Sequence, residues 1–211
     1  MKSDYIKPQT YDELYRVMQR DNVLAIRVAV ETGLRIDDVL RLKWENFGKS
    51  TTFTYFAKKT GKKGVKKLSK LLKTELFSRN VHNSEYVFPG RKRGTHRTRQ
   101  AVWKDIKKAA DVMGVTLNVS PHSARKTYAV ELRKEAGLPT VQRELQHSDM
   151  NTTMIYAFAD LARAGKRDPV PESGELIELA ERIAARVVEL LRDELGQACP
   201  YLERAKKKST D

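Results

Sequence analysis

Apolar positions along the chain change period several times, and each change marks an element. Thr10 followed by Glu13 has the form of a capping box and predicts a helix running to about Arg20. Val23 to Glu31 has little polar interruption, which predicts a buried helix ended by Gly33. Ile36, Val39, Leu40 and Leu42 resume helical spacing over residues 35–43. The period then shortens. Thr51 to Ala57 is β-branched and aromatic, Thr60-Gly61-Lys62-Lys63-Gly64 supplies turn residues, and Val65 to Leu68 can return as a second strand. This hairpin would carry its lysines on the turn.

Helical spacing returns at Leu71 to Phe77, followed by a brief extended segment at Tyr86-Val87-Phe88-Pro89-Gly90 that stops at the proline. Ala101, Val102, Ile106, Ala109 and Ala110 predict a helix over Thr98 to Met113, closed by Gly114. Ser120-Pro121 pairs an N-cap residue with proline at the first helical position, so a helix should run from there to Gly137, with a shorter one over Pro139 to Gln146. Asn151 can cap another over Thr152 to Phe158. Beyond Asp168-Pro169-Val170-Pro171, the residues Leu176, Ala180, Ile183, Val187 and Leu190 form a heptad-like seam on a helix over Ser173 to Leu195. That helix suits packing on the parent domain or docking on a partner. The expected fold is mainly α with a small antiparallel β-sheet, an α+β class, divided into a domain at 1–168 and a helical extension at 169–211.

Composition changes this picture chiefly through charge. The chain has 211 residues and a formal net charge of +14. Residues 161–211 hold 10 basic and 10 acidic side chains, so the whole excess lies in residues 1–160. Eight lysines fall between Lys58 and Lys73, and eight basic residues between Arg91 and Lys108. Two such clusters without matching acids favour contact with phosphates. The most apolar stretch, Val23 to Leu34, is broken by Arg27 and Glu31, so no membrane span is expected. The N-terminus lacks the apolar run of a signal peptide, and the lone Cys199 can form neither an internal disulfide nor a Cys-based zinc site. A soluble intracellular, cytoplasmic protein is expected.

Several residues carry candidate chemistry. His122 and Arg125 are three apart at a predicted helix start and share a face at its positive end. Gly33-Leu34-Arg35 ends a buried helix and returns an arginine toward the core, while His147 precedes Tyr156 by nine residues. Taken singly, Arg35 reads as a helix-terminal salt-bridge residue, His147 as a cap and Tyr156 as a core aromatic. Cleaving a DNA phosphodiester without a metal needs several groups together. Fixed cations must hold the charged transition state, an acceptor must take the nucleophile's proton, and a donor must protonate the departing sugar oxygen. Two arginines, two histidines, a lysine and a tyrosine satisfy these needs. Asp37, Asp38, Asp149 and Asp160 have no recognisable metal-site spacing, and no metal or other cofactor is expected.

Five segments in order carry a resemblance: Thr32-Gly33-Leu34-Arg35-Ile36, Lys58-Lys59-Thr60-Gly61, Pro121-His122-Ser123-Ala124-Arg125, Leu145-Gln146-His147-Ser148 and Thr152-Thr153-Met154-Ile155-Tyr156. Over roughly residues 8–160 the chain resembles the catalytic domain of the tyrosine recombinases, the phage-integrase family. The resemblance implies that Arg35 and Arg125 clamp the scissile phosphate and that His147 bonds a non-bridging oxygen. It makes His122 the base, Lys59 the acid toward the 5′-oxygen and Tyr156 the nucleophile that forms a 3′-phosphotyrosyl link, with Asp38 orienting the site. Only the Lys-Thr-Gly match selects Lys59 among its lysine neighbours, and other tyrosines, Tyr128 especially, could approach the site. Double-stranded DNA is the implied partner, contacted by Lys58, Lys62, Lys63, Arg97 and Arg99, with a homo-oligomer, a tetramer, assembled on it. Gln146 stands where the family usually has glycine. Few residues precede the first predicted helix, which reads as an isolated catalytic domain or a minimal recombinase. The expected function is site-specific cleavage and rejoining of DNA; a non-catalytic DNA-binding relic and a relaxing type IB topoisomerase are the alternatives.

Overall fold

In the computed structural model, residues 3–79 and 84–145 are described. They contain helices α1 (Pro8–Tyr15), α2 (Arg20–Thr32) and α3 (Ile36–Leu40), then a single 3-10 turn at Trp44–Asn46. Strands β1 (Thr52–Ala57) and β2 (Lys62–Lys67) follow, then helices α4 (Lys70–Phe77), α5 (Arg99–Val112) and α6 (Pro121–Glu144). The strands pair antiparallel, with Thr52 opposite Lys67 and Ala57 opposite Lys62. This is the expected α+β class.

Helix α2 is the centre of the core: Leu24, Ala25, Ile26, Val28 and Ala29 are fully buried. It packs against α6, α3 and α4. Strand β1 alternates as its sequence requires, turning Phe53, Tyr55 and Ala57 inward and Thr52, Thr54 and Phe56 outward. Each large apolar side chain so buried contributes about 1.5–3 kcal/mol. A part-buried ion pair on the buried Arg79 links α2 to the chain after α4. Arg79 donates to Asp21 Oδ1 at 2.7 Å and to the Val87 carbonyl at 2.7 Å, with its guanidinium over the Phe88 ring.

Local signals placed most helix ends. Thr98 caps α5 by accepting from Ala101 N, and Ser69 caps α4 by accepting from Leu72 N. Ser120 caps α6 with Pro121 at its first position. Gly137, at φ 75° and ψ 170°, breaks α6 into the two expected segments. Two expectations are corrected. Helix α1 begins at Pro8 with Lys7 as N-cap and ends at Tyr15, so Thr10 lies inside the helix and caps nothing; proline at N1 preorganises the start three residues earlier. The hairpin turn is Lys58–Gly61, and Lys62, Lys63 and Gly64 belong to β2. The Ala57 carbonyl accepts from Gly61 N at 2.8 Å with Gly61 at φ 66°, closing the turn before the lysine run ends. The segment around Tyr86 forms only isolated bridges, Lys43 with Tyr86 and Pro89 with His96. The helices expected over Thr152–Phe158 and Ser173–Leu195, and the domain boundary after residue 168, lie outside the described residues.

Candidate active site

The site is built where α2 turns into α3. Gly33 ends α2 at φ 69° with its N–H on the Ala29 carbonyl, a conformation costly for any residue with a Cβ. Space also excludes a side chain, because a Cβ at this position would lie 2.3 Å from a Tyr128 ring carbon and 2.8 Å from Leu145 Cδ2. The chain leaves this turn extended through Arg35, the half-buried N-cap of α3. One turn on, Asp38 is buried, and its Oδ1 accepts from the backbone N–H of Lys58 at 3.0 Å. Asp38 therefore fixes the root of the hairpin beside Lys59. Burial raises the Asp38 carboxyl above its usual range, opposed by the Lys58 N–H and by the Arg35 and Arg125 cations.

Arg125 enters from α6 and is only 4% exposed. One Nη donates to the Gly33 carbonyl at 2.6 Å and the other to the Leu145 carbonyl at 2.7 Å. Bidentate bonds of this kind set the plane of a guanidinium, which a lysine could not reproduce. His122, one turn earlier, has its backbone N–H on the Ser120 hydroxyl. Desolvation by the surrounding protein, followed by the Lys126, Arg125 and Arg35 cations, pushes its imidazole down to about 4. His122 is thus neutral near pH 7 and, being exposed, can accept a proton from a bound group. Both arginines act on Asp38 and on His122, so Arg35, Asp38, His122 and Arg125 form one cluster. Its fixed cations around a neutral base can hold an anion and deprotonate a neighbour.

Lys59 lies on the exposed hairpin turn, with Lys58, Lys62 and Lys63 exposed around it. Arg99, at the start of α5, is 62% exposed and stands 3.9 Å from Asp37, close to the cluster. Arg97 differs. Its Nη2 is bonded to Asp21 at 3.0 Å and the side chain is 19% exposed, which makes it part of the Arg79–Asp21 network. Tyr128 is wedged against Gly33, and burial followed by the Glu144 charge pushes its hydroxyl up to about 12, which makes it a poor nucleophile. Gln146, His147 and Tyr156 lie outside the described residues.

Other participants were not evident in the sequence. Tyr55 points inward from β1 against Gly64, whose missing Cβ would lie 2.5 Å from the ring, and it feels the charges of Asp38, Arg125 and Arg35. The carbonyls that bracket Arg125 are backbone groups and leave no trace in residue type. Lys66 and Glu144 pair across 78 positions, and a lysine among eight gave no signal of its inward face.

The fold and this cluster define a catalytic domain that comparison places in a known group. The phage integrase family model matches residues 4–163. The chain belongs to that family, the tyrosine recombinases. Tyrosine recombinase XerD of Shewanella oneidensis is 31% identical over 154 residues, 68% of this chain and 51% of the relative. The chain thus spans about half the length of the curated relatives it matches. Among solved structures, XerH site-specific recombinase bound to palindromic difH substrate in a post-cleavage complex superposes with TM-score 0.61 at 22% identity, over 81% of this chain and 54% of that one. The catalytic domain of bacteriophage HP1 integrase superposes with TM-score 0.55 at 19% identity, over 81% of this chain and 98% of that one. Among the described residues no helix is long and apolar enough to cross a membrane.

Proposed function

We propose that this protein is a site-specific recombinase that cleaves and rejoins double-stranded DNA through a covalent 3′-phosphotyrosyl link at Tyr156. The observation carrying this reading is the cluster of Arg35, Asp38, His122 and Arg125 with the root of the Lys59 hairpin bonded to Asp38. Arg35 and Arg125 hold the scissile phosphate and stabilise the added negative charge of its pentacoordinate transition state. His122 accepts the Tyr156 proton as the phenolic oxygen attacks phosphorus, and His147 bonds a non-bridging oxygen. The bond from phosphorus to the 5′-oxygen breaks, and Lys59 protonates that oxygen. One phosphate ester replaces another, so a 5′-hydroxyl can reverse the step without an external energy source.

Lys58, Lys62, Lys63 and Arg99 hold DNA backbone around the site; Arg97 acts through Asp21 instead. Residues 1–168 form the catalytic domain and 169–211 a helical extension. Exchange between two duplexes requires four strands to be cut, which four protomers with one tyrosine each supply. Such a protein works in the cytoplasm on the nucleoid.

The test uses the full chain and a pool of nicked duplexes of randomised sequence, from which cleavage releases a short strand so that religation fails. An SDS-resistant adduct with wild type, lost in Tyr156→Phe, is expected. No adduct from any member of the pool, or one undiminished in Tyr156→Phe, overturns the reading.

A further inference from the structure

The inner face of β2 carries one lysine whose side chain is largely buried. Gly64 and Lys66 sit opposite Tyr55 and Phe53, the inward residues of β1. The Lys66 side chain is 9% exposed, and its Nζ donates to the Glu144 carbonyl at 3.1 Å and to Glu144 Oε2 at 2.5 Å. The same ammonium lies 5.4 Å from the centre of the Tyr128 ring. Burying an ammonium is costly unless it is paired and bonded, so this site strongly specifies its partner.

The pair joins three parts of the active site. Lys66 lies on the strand that leaves the Lys59 turn. Glu144 is followed by Leu145, whose carbonyl takes Arg125, and His147 lies two residues further along the chain. Tyr128, beneath the ammonium, fills the space left by Gly33, whose carbonyl takes the other Nη of Arg125. Two of the hairpin's attachments thus run to elements of the active site. Asp38 holds its root through Lys58 N, and Glu144 holds its returning strand through Lys66.

We infer that Lys66 and Glu144 are a positioning pair that sets the Lys59 hairpin against the Arg125 end of the site, so that the leaving oxygen meets its proton donor. This rests on the recombinase reading above. The pair acts through Lys59: Glu144 is 41% exposed, but the Lys66 side chain that it holds is largely buried, unlike the exposed lysines at positions 58, 62 and 63 that would meet DNA. Its loss should therefore slow cleavage while leaving DNA affinity nearly unchanged. A displacement of about 1 Å in a catalytic group can cost about 100-fold in rate.

The experiment compares wild type, Lys66→Met, Glu144→Gln and the double variant as full chains, on a nicked duplex recovered from the randomised pool. Glu144→Gln keeps the backbone acceptor and the side-chain shape, and so serves if Lys66→Met does not fold. Single-turnover cleavage at saturating protein should fall by about 10- to 100-fold in each single variant. The double variant should fall no further than the worse single, and the dissociation constant should stay within about twofold, well under a one-contact change. A second substrate carries sulfur in place of the scissile 5′-oxygen; a thiolate leaves without a proton donor and should restore most of the lost rate. Unimpaired variants, or equal impairment with the oxygen and sulfur leaving groups, overturn the inference. A wild type that forms no adduct overturns the recombinase reading itself.

Discussion

Gly33→Ala perturbs the point on which the site is assembled, and its cost can be worked out from two separate effects. The left-handed backbone at φ 69° costs any residue with a Cβ about 1–2 kcal/mol. The new methyl would also meet Tyr128 ring carbons at 2.3 and 2.6 Å and Leu145 Cδ2 at 2.8 Å. Overpacking of this kind costs about 1–3 kcal/mol. Together they give about 2–5 kcal/mol, a large part of the roughly 5–15 kcal/mol that holds an ordinary domain folded. Gly114 supplies the control: its φ is 64°, but nothing lies within 4 Å of a Cβ there, so Gly114→Ala pays only the backbone cost. Urea unfolding at equilibrium should therefore rank Gly33→Ala below Gly114→Ala by about 1–3 kcal/mol. Adding Tyr128→Leu to Gly33→Ala should recover about 1 kcal/mol relative to the sum of the single effects. Equal losses at the two glycines, or strict additivity with Tyr128→Leu, would refute the steric account of this turn.

Three further expectations follow from the same geometry. His122 is a base whose pKa lies below 6.5, so single-turnover cleavage should hold its rate as pH falls through 6.5 and decline only toward about 4; a half-loss at pH 6.5 in a stopped-flow pH series would contradict it. Arg79→Ala removes the buried donor of the Val87 carbonyl and leaves Asp21 with Arg97 as its partner, and should cost about 1–3 kcal/mol in urea unfolding, with a loss under about 0.5 kcal/mol as the opposing result. Arg99→Ala should weaken DNA binding and reduce the slope of log K against log salt by about 1, whereas Arg97→Ala should lower stability and leave that slope unchanged. Interchange of the two behaviours would mean that the exposed arginine is not the one on DNA.

Features encoded within a few residues were legible in the sequence. Gly33, Thr98, Ser120-Pro121 and Gly137 each stop or start a helix through their own backbone preferences. The start of α1 departs from the sequence pattern because Thr10 and Glu13 satisfy the capping motif while Pro8 already occupies the first helical position. The lysine run hid the beginning of β2, since residues of one type carry no alternation to read, although the strand has an inner and an outer face. The cluster of Arg35, Asp38, His122 and Arg125 could be named from motif residues, but what holds it could not. Two backbone carbonyls fix Arg125, and an ion pair spanning 78 positions ties the hairpin to α6. Arg97 and Arg99 look alike in the sequence, and only the position of Asp21 separates the largely buried one from the exposed one.

The central claim is that the broken phosphodiester is stored on Tyr156, and the location of the linkage tests it most directly. The trapped adduct is digested with nuclease and protease, and the peptide bearing a residual nucleotide is sequenced by mass spectrometry. The account predicts one modified peptide, with the nucleotide joined through its 3′-phosphate to the Tyr156 oxygen. A nucleotide on Tyr128 or any other side chain, or a 5′-phosphate linkage, would contradict it.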